Sequence, residues 1–241
     1  MADPEFPGNP SGAVYSEAEL AALAAVLREH PSVLVLWDEM YEQIWFDEPP
    51  AHLLRAAPDL AGRTLAVNGV SKAYAMTGWR IGWGVLGGAD RRAGGGAVAG
   101  VIGSSSLGQA AALVALQGVA DDFVENARLA YARRARVIVD GLGAVPGLRV
   151  AAPRGSFFAW IGVAGLIGQV KPDGGVIADD GDVADWLLEA EGVAVVRGAA
   201  YGLSPYLRLS FAASDAKVAE AVVRIARAVA ALRPAALEAA A

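Results

Sequence analysis

The chain has 241 residues, 55% of them hydrophobic, and a formal net charge of −6, a size that suits one large or two modest domains with a buried core. The acidic balance argues against nucleic acid as a partner, and a chain with no cysteine and only two histidines, His30 and His52, excludes thiol chemistry and argues against a metal site. No apolar run reaches the length of a membrane span and the N-terminus lacks a signal-like layout, so we predict a cytoplasmic protein that contacts no membrane.

Helix and strand signals alternate from the start of the chain. Residues 1–6, MADPEF, match the product of two adjoining cloning sites, and we interpret them as a cloning scar. Ser16, followed three residues later by Glu19, predicts the capped start of a helix. The apolar run 33–37 then predicts a strand that is buried on both faces in a parallel sheet, with Asp38 at its end.

The next segments continue the same pattern. Residues 63–69 and 80–88 predict two further buried strands with a short loop between them, so the order of elements indicates an α/β architecture. Glycine and serine at 94–100 and 102–108 predict a flexible passage. The aromatic side chains that we expect in the core are Trp79, Trp83, Phe157 and Trp160.

The second half of the chain predicts a smaller α/β domain. Helical periodicity returns at 109–118 and 121–142, and we expect the second of these helices to link two domains. Four short strands and two helices are then predicted at 147–153, 156–163, 182–191, 193–198, 206–212 and 215–232. We therefore divide the chain into a larger domain at 7–140, which is only part of a domain, and a small C-terminal domain at 141–241.

Lysine is rare in this chain, and one lysine stands in an unusual place. Of the 20 basic residues only Lys72, Lys171 and Lys217 are lysines. Lys171 lies in a KPDGG turn and Lys217 near the start of a helix, where a solvated charge explains both. Lys72 lies between two predicted strands among small residues that leave its amine accessible. Arginine supplies charge but forms no imine at ordinary pH, so a lysine here favours Schiff-base chemistry, typically with pyridoxal phosphate.

That cofactor needs a carboxylate to keep its ring nitrogen protonated, and the sequence offers one. Asp38 ends a predicted buried strand, and α/β folds bind ligands at the ends of parallel strands. Tyr41 can donate a hydrogen bond to the ring oxygen, and the guanidinium of Arg80 can bind the phosphate. Taken singly, these residues have commoner explanations as a turn cap, a packing aromatic and a strand-start charge. Their combination with Lys72 carries the hypothesis.

Six segments together resemble the class I pyridoxal-phosphate aminotransferases of fold type I. In the first half they are NPSG at 9–12, DEMYE at 38–42 and NGVSKAYAMTGWRIG at 68–82, and in the second half PRGSFF, EGVAVVRGAAYG and YLRLSFAAS follow in the expected order. The resemblance runs from about Gly8 to Leu232 and is strongest to bacterial aspartate aminotransferases, including the group that also acts on prephenate. It implies the C-terminal portion of a large domain, with a mostly parallel sheet and helices, plus a small α/β domain. The family's N-terminal stretch is absent.

The resemblance implies a role for each matching residue. Lys72 would form the Schiff base and move the proton between substrate and cofactor, and Asp38 would pair with the pyridine nitrogen. Arg208 would clamp the substrate α-carboxylate. The residues implied around the cofactor are Asn9, Asp38, Tyr41, Ser71, Lys72 and Arg80, with Asn9 and Arg208 on the substrate. One departure is Gly69, where many family members carry a hydroxyl that contacts the phosphate.

These observations predict an aminotransferase that moves an amino group between an L-amino acid, with aspartate as the expected donor, and a 2-oxo acid. A homodimer is implied by the resemblance. Two alternatives stay open. A lyase or synthase of the same fold would use the same lysine, aspartate and arginine. A truncated fragment without activity would also fit, because the family's ring-stacking aromatic residue and glycine-rich phosphate turn belong to the absent stretch.

Overall fold

A computed structural model describes residues 7–87 and 103–234. The residues interpreted as a cloning scar and the glycine-rich passage at 94–100 lie outside the described residues. The chain folds as two compact units. The first unit comprises Met1–Asn9, Ala13–Leu129 and Arg154–Ser156, and the second comprises Pro10–Gly12, Ala130–Pro153 and Phe157–Ala241. The domain boundary at residue 140 stays a prediction.

The first unit alternates helices and strands, as predicted. Its elements are α1 (Glu17–Glu29), β1 (Val35–Asp38), α2 (Leu53–Ala56), β2 (Thr64–Gly69), β3 (Gly82–Leu86), α3 (Ser106–Val114) and the first part of α4 (Asp121–Gly143). Short 3₁₀ turns at Pro58–Arg63 and Thr77–Trp79 precede β2 and β3, and a π-helical turn, Ala115–Val119, follows α3. The expectation of a flexible passage at 102–108 is partly wrong, because Ser105 caps α3 with its hydroxyl and the helix starts at Ser106.

Local sequence and packing explain α1. The Ser16 hydroxyl accepts a hydrogen bond from the Glu19 amide at 3.3 Å, and the Glu19 carboxylate accepts one from the Ser16 amide at 2.8 Å, which confirms the predicted capping box. Leu20 and Leu27, on one side of the helix, are buried in a cluster that includes Trp37 of β1. The helix therefore covers one face of the first sheet.

That sheet has the order β1-β2-β3, with β1 parallel to β2 and β2 antiparallel to β3. The prediction that its strands are buried is wrong for β3, whose first four residues are exposed. It is half right for β1, where Val35 and Trp37 are buried while Leu34 just before the strand is 60% exposed. Trp79 and Trp83 are likewise exposed, contrary to expectation, at 48% and 37%.

The second unit contains a four-stranded antiparallel sheet in the order β4-β5-β7-β6. Its elements are the rest of α4, β4 (Arg149–Val150), β5 (Phe158–Gly162), α5 (Asp180–Glu191), β6 (Val196–Arg197), β7 (Tyr206–Ser210) and α6 (Asp215–Ala230). All five residues of β5 are buried, and Trp160 lies in this core as predicted. The predicted strands and helices are all present, although β4 and β6 are shorter than the sequence indicated.

Within the two described ranges, none of the helices combines the length and the apolar character that a bilayer span requires.

Candidate active site

Strand direction in the first unit brings four of the predicted residues to one edge of the sheet. Asp38 ends β1 beside Val67 of the parallel strand β2, so the turns that follow β1 and β2 leave from the same edge. These turns carry Tyr41 and Lys72. Since β3 is antiparallel, its start lies beside the end of β2, and Arg80 precedes it at this same edge. The ends of parallel strands are the usual place for ligands in α/β folds.

The turn that carries Lys72 is closed by backbone hydrogen bonds. The Val70 amide donates to Ile81 at 3.3 Å, the Met76 amide donates back to Val70 at 3.3 Å, and the Ala75 amide donates to Lys72 at 3.1 Å. Val70 is fully buried at the base of the turn, while Lys72 is half-buried. The Lys72 amine lies 5.9 Å from the centroid of the Tyr41 ring. This hydrogen-bonded turn thus places the Lys72 amine near the Tyr41 ring, the two groups that the sequence assigned to one site.

One residue within this turn, Ala75, and one just before β3, Arg80, have left-handed backbone conformations that are rare for side chains larger than glycine. Ala75 has φ 52° and Arg80 has φ 58°. Such conformations cost on the order of 1–3 kcal/mol and are concentrated at functional sites. The exposed Arg80 side chain donates to the Thr77 carbonyl at 2.8 Å. This contact uses one of the five guanidinium donors, and binding of a phosphate by Arg80 stays a prediction.

A hydrogen-bond bridge joins the turn that carries Tyr41 to the end of β2, just before the turn that carries Lys72. Asn68, next to last in β2, donates from Nδ2 to Glu42 at 2.7 Å and accepts from the Gly69 amide at 2.7 Å. Asp38 accepts from the Met40 amide at 2.9 Å, which orders the start of the turn after β1. Burial, partly offset by the Asn68 hydrogen bond, raises the pKa of Glu42. Sequence reasoning missed this bridge, because Asn68 and Glu42 each look like ordinary turn residues.

His52, to which sequence reasoning gave no role, is bound to the residue after Asp38. Its Nδ1 lies 2.8 Å from Glu39 Oε1, which also accepts from the Trp37 indole at 2.9 Å. The hydrogen bond to Glu39 raises the pKa of His52. Donor atoms of Glu39, Glu42 and His52 all lie within 4.8 Å of one another, a spacing compatible with a metal ion. The hydrogen bonds from Trp37 and His52 already account for the position of Glu39, so we assign no metal here.

The structure explains why glycine stands at position 69. A Cβ there would lie 2.8 Å from the Ile81 carbonyl oxygen and 3.1 Å from the Gly82 Cα. These are backbone atoms of the paired strand, which cannot move away cheaply. A hydroxyl side chain like that of many family members is therefore excluded by the close approach of β2 and β3.

Asn9 and Ser71 have less complete descriptions. Ser71 is half-buried and starts the turn that carries Lys72. The segment before Asn9 lies beside Gly155, since a Cβ on Gly155 would meet both the Pro7 ring and the Ile44 carbonyl at 2.6 Å. Gly155 in turn pairs with Trp45, shortly after Tyr41. Contacts of Asn9 with a cofactor or substrate stay a prediction.

Arg208 belongs to the second unit, on β7. It pairs with Trp160 of β5 and Val196 of β6, at the centre of that sheet. Its guanidinium carbon lies 4.4 Å from the centroid of the Phe158 ring and 5.2 Å from that of Tyr201. Cation–π contacts at these distances stabilise the guanidinium beside the two rings.

Ser156 is another residue that sequence reasoning missed. It is fully buried, has φ 61°, and its hydroxyl has no hydrogen-bond partner among the described residues. Buried polar groups are nearly always paired, so an exception of this kind points to a functional or strained position. Nothing in the local sequence signals it.

Comparison with known proteins agrees with this geometry. A family model described as aminotransferase class I and II matches residues 5–225. The chain belongs to this family. It is 46% identical to an aspartate aminotransferase of Rhizobium meliloti over 229 residues, covering 92% of this chain and 54% of that protein. It is 43% identical to an aspartate/prephenate aminotransferase of Cereibacter sphaeroides, covering 91% of this chain and 55% of that protein.

Solved structures show the same fold. The crystal structure of the Rhizobium meliloti aspartate aminotransferase superposes with a TM-score of 0.90 at 44% identity, covering 95% of this chain and 58% of that chain. The resemblance and the fold class predicted from sequence are thereby confirmed. The aminotransferase chain described here spans only about half the length of the curated relatives that it matches.

Proposed function

We propose that this chain is part of a pyridoxal-phosphate-dependent aminotransferase that moves an amino group between an L-amino acid and a 2-oxo acid. The observation that carries the proposal is the Lys72 amine, held 5.9 Å from the Tyr41 ring at the sheet edge where Asp38 and Arg80 also lie. Family membership supports it. Aspartate is the proposed donor, because the relatives named above are aspartate aminotransferases.

The residues at this edge suit the proposed cofactor, which when bound supplies an electron-withdrawing ring that stabilises a carbanion next to the substrate nitrogen. Asp38 offers the carboxylate that keeps a ring nitrogen protonated, and Tyr41 offers a phenol donor. Lys72 offers a nucleophilic amine that can also hold a proton at Nζ. The residues that would hold the cofactor are Asn9, Asp38, Tyr41, Ser71, Lys72 and Arg80.

The second unit supplies the proposed substrate carboxylate site. Arg208 carries a guanidinium whose fork of donors matches a carboxylate, and Phe158 and Tyr201 restrict its orientation. A clamp of this kind orients an amino acid before reaction. Asn9 is the further residue proposed on the substrate. The whole protein is proposed to act as a homodimer in the cytoplasm.

A specific observation favours a second candidate, a partial chain that holds its fold without turning over substrate. The outer strand β3 is exposed, and the chain spans about half the length of its relatives.

A lyase or synthase of this fold would keep the same residues and change the reaction. Incubation of a longer form, matching the relatives over their whole length, with aspartate and 2-oxoglutarate separates the two reactions. An aminotransferase forms glutamate, and a lyase does not.

The decisive test for this chain is to trap the Lys72 amine. The protein is incubated with pyridoxal phosphate, reduced with borohydride, digested, and the adduct on each of the three lysine peptides is quantified by mass spectrometry. We expect the adduct predominantly on Lys72, together with an absorbance band near the visible region that Lys72→Ala abolishes. Lys171→Ala is the matched control, because Lys171 lies in a turn of the second unit and its loss should change nothing.

Equal labelling of Lys72, Lys171 and Lys217 would contradict the proposal, because it would show an amine without a cofactor site. The same conclusion follows if the Lys72→Ala protein keeps the band.

A further inference from the structure

A buried carboxylate in the second unit, Asp180, holds both ends of the loop that carries Tyr201. Asp180 is 2% exposed and is the first residue of α5. Its Oδ2 accepts from the Ala199 amide at 2.9 Å, and its Oδ1 accepts from the Ser204 hydroxyl at 2.6 Å. Tyr201 lies between these two anchor points. One side chain therefore sets the position of the whole loop.

The loop has little freedom apart from these anchors. It begins with a 3₁₀ turn, Gly198–Tyr201, and reverses at Gly202 with φ 73°. The Leu203 amide donates back to Gly198 at 3.2 Å. A Cβ on Gly198 would overlap the Leu203 carbonyl oxygen, so the two ends of the loop are in close contact. Because the loop is short and closed by its own hydrogen bond, a shift of the Asp180 carboxylate would also move Tyr201.

Tyr201 in turn contacts the side chains around Arg208. Its ring packs edge-on against Trp160, with centroids 5.8 Å apart. Trp160 stacks on Tyr206 at 5.2 Å with an interplanar angle of 7°. Arg208 lies 5.2 Å from the Tyr201 ring and 4.4 Å from the Phe158 ring. Of the two rings that contact the Arg208 guanidinium, Phe158 belongs to the sheet and Tyr201 belongs to the anchored loop.

We propose that Asp180 is a positioning residue for Arg208, acting through the anchored loop and the Tyr201 ring. The proposal rests on the proposed function in one respect, that Arg208 binds a substrate carboxylate. The carboxylate form of Asp180 matches its surroundings: burial pushes its pKa upward, but hydrogen bonds from Ser204 and from nearby backbone amides outweigh burial and leave the pKa below its usual value. An amide in its place would keep an oxygen that can accept from Ala199, but it would remove the negative charge that strengthens both hydrogen bonds and would require the Ser204 hydroxyl to turn from donor to acceptor.

The test reads the freedom of Arg208 directly, on this chain and without cofactor. The protein is treated with phenylglyoxal, which modifies accessible guanidinium groups, and the rate at each arginine is followed by mass spectrometry after cleavage by a protease that does not cut at arginine. We expect Asp180→Asn to raise the rate at Arg208 several-fold. Asp185→Asn is the matched control, with the same loss of charge on an exposed position of the same helix, and it should leave the rate unchanged.

Two further variants separate positioning from general loosening of the unit. Tyr201→Ala should raise the Arg208 rate about as much as Asp180→Asn, and Tyr201→Phe, which keeps the ring, should not. Arg224, which donates to the Glu191 carbonyl at 2.8 Å, is the internal reference for folding of the second unit. If Arg224 accelerates together with Arg208, or if Asp180→Asn leaves Arg208 unchanged, the positioning role is wrong.

A longer, active form adds a kinetic readout. Loss of positioning weakens carboxylate binding more than chemistry, so Asp180→Asn should raise KM for the amino acid about tenfold, with kcat changed by less than about threefold. A change in kcat with KM unaffected would overturn the proposal. If no form shows transamination while the phenylglyoxal result holds, the proposed reaction fails but the link between Asp180 and Arg208 stands.

Discussion

The two units differ most in how completely they cover their sheets. In the second unit the central strand β5 is buried at all five residues, and aromatic side chains pack on each other around it. In the first unit β3 is exposed at four of its five residues. Trp79, Val85 and Leu107 are among its large apolar side chains that face solvent. Within the described residues, the central strand of the second sheet is thus fully buried, whereas the outer strand of the first sheet is largely exposed.

Most of the proposed site residues lie in the unit whose sheet is less completely covered. The proposed amine, carboxylate and phosphate residues all lie in the less covered unit, and only the substrate arginine lies in the covered one. Apolar side chains exposed along an edge strand favour pairing with another chain. The comparison indicates that the first unit gains the most from any additional chain that packs on it, whereas the second is stabilised by its own side chains.

The largest expected effect tests the second unit's core. Phe211 is fully buried, with 0% of its surface accessible, and its ring packs edge-on against Tyr131 with the ring centroids 6.3 Å apart. We expect Phe211→Ala to lower the free energy of unfolding of the second unit by about 3–5 kcal/mol, since it leaves a cavity in a packed core. Phe123 lies in the first unit and is 50% exposed. Phe123→Ala should change the free energy of unfolding of the first unit by less than about 1 kcal/mol. Urea denaturation of both variants measures the difference, and similar losses would contradict the contrast.

The sequence predicted the second unit better than the first for a physical reason. Periodicity reports which side chains are apolar, and in the second unit the segments that bury them, such as β5 and α6, all lie within the chain. The apolar pattern of β3 also predicts burial, but burial needs a partner surface, and within the described first unit Val85 stays 58% exposed and Trp83 37% exposed. The pattern was correctly identified as a strand, and only its surroundings were misjudged.

The candidate site shows the same limit at the scale of side chains. Lys72 and Tyr41 were linked from sequence by the chemistry that they share, and the structure brings them together. The contact of His52 with Glu39 was not predicted, nor was the left-handed backbone of Ser156, whose hydroxyl has no partner among the described residues. They depend on distances between segments that come together only in the fold, and neither residue type nor spacing carries that information.

A smaller effect tests whether the exposed face of the first unit causes association. Val85 lies on β3 and is 58% exposed. Lysine on an edge strand discourages pairing with another chain. We expect Val85→Lys to raise the protein concentration at which association begins by several-fold, measured by light scattering coupled to size-exclusion chromatography. Val223→Lys, at a position 62% exposed on α6 of the second unit, is the control and should have no effect. Equal effects would show that added charge alone is responsible.

The smallest effect separates the two units by pH. The pKa of His52 is raised above 6.5, chiefly by its hydrogen bond to Glu39, so protonated His52 stabilises the folded first unit. That contribution is fully present below about pH 6.5 and is lost as the pH rises through the folded-state pKa. Asp180 behaves oppositely, since its pKa is below 3.8: its contribution is present above about pH 3.8 and is lost as the pH falls. The stabilisation that His52 gives the first unit is therefore lost on the alkaline side, and the stabilisation that Asp180 gives the second unit is lost on the acid side.

The measurement compares His52→Gln with the original protein by urea denaturation at about pH 5.5 and about pH 8.5. We expect the variant to be less stable by under about 1 kcal/mol at the lower pH, because the pair is partly exposed, and the difference to vanish at the higher pH. His30→Gln replaces an exposed histidine of the same unit and controls for the change of residue type. A difference that is the same at both pH values would mean that His52 stabilises the turn after β1 through packing alone, with no contribution from its charge.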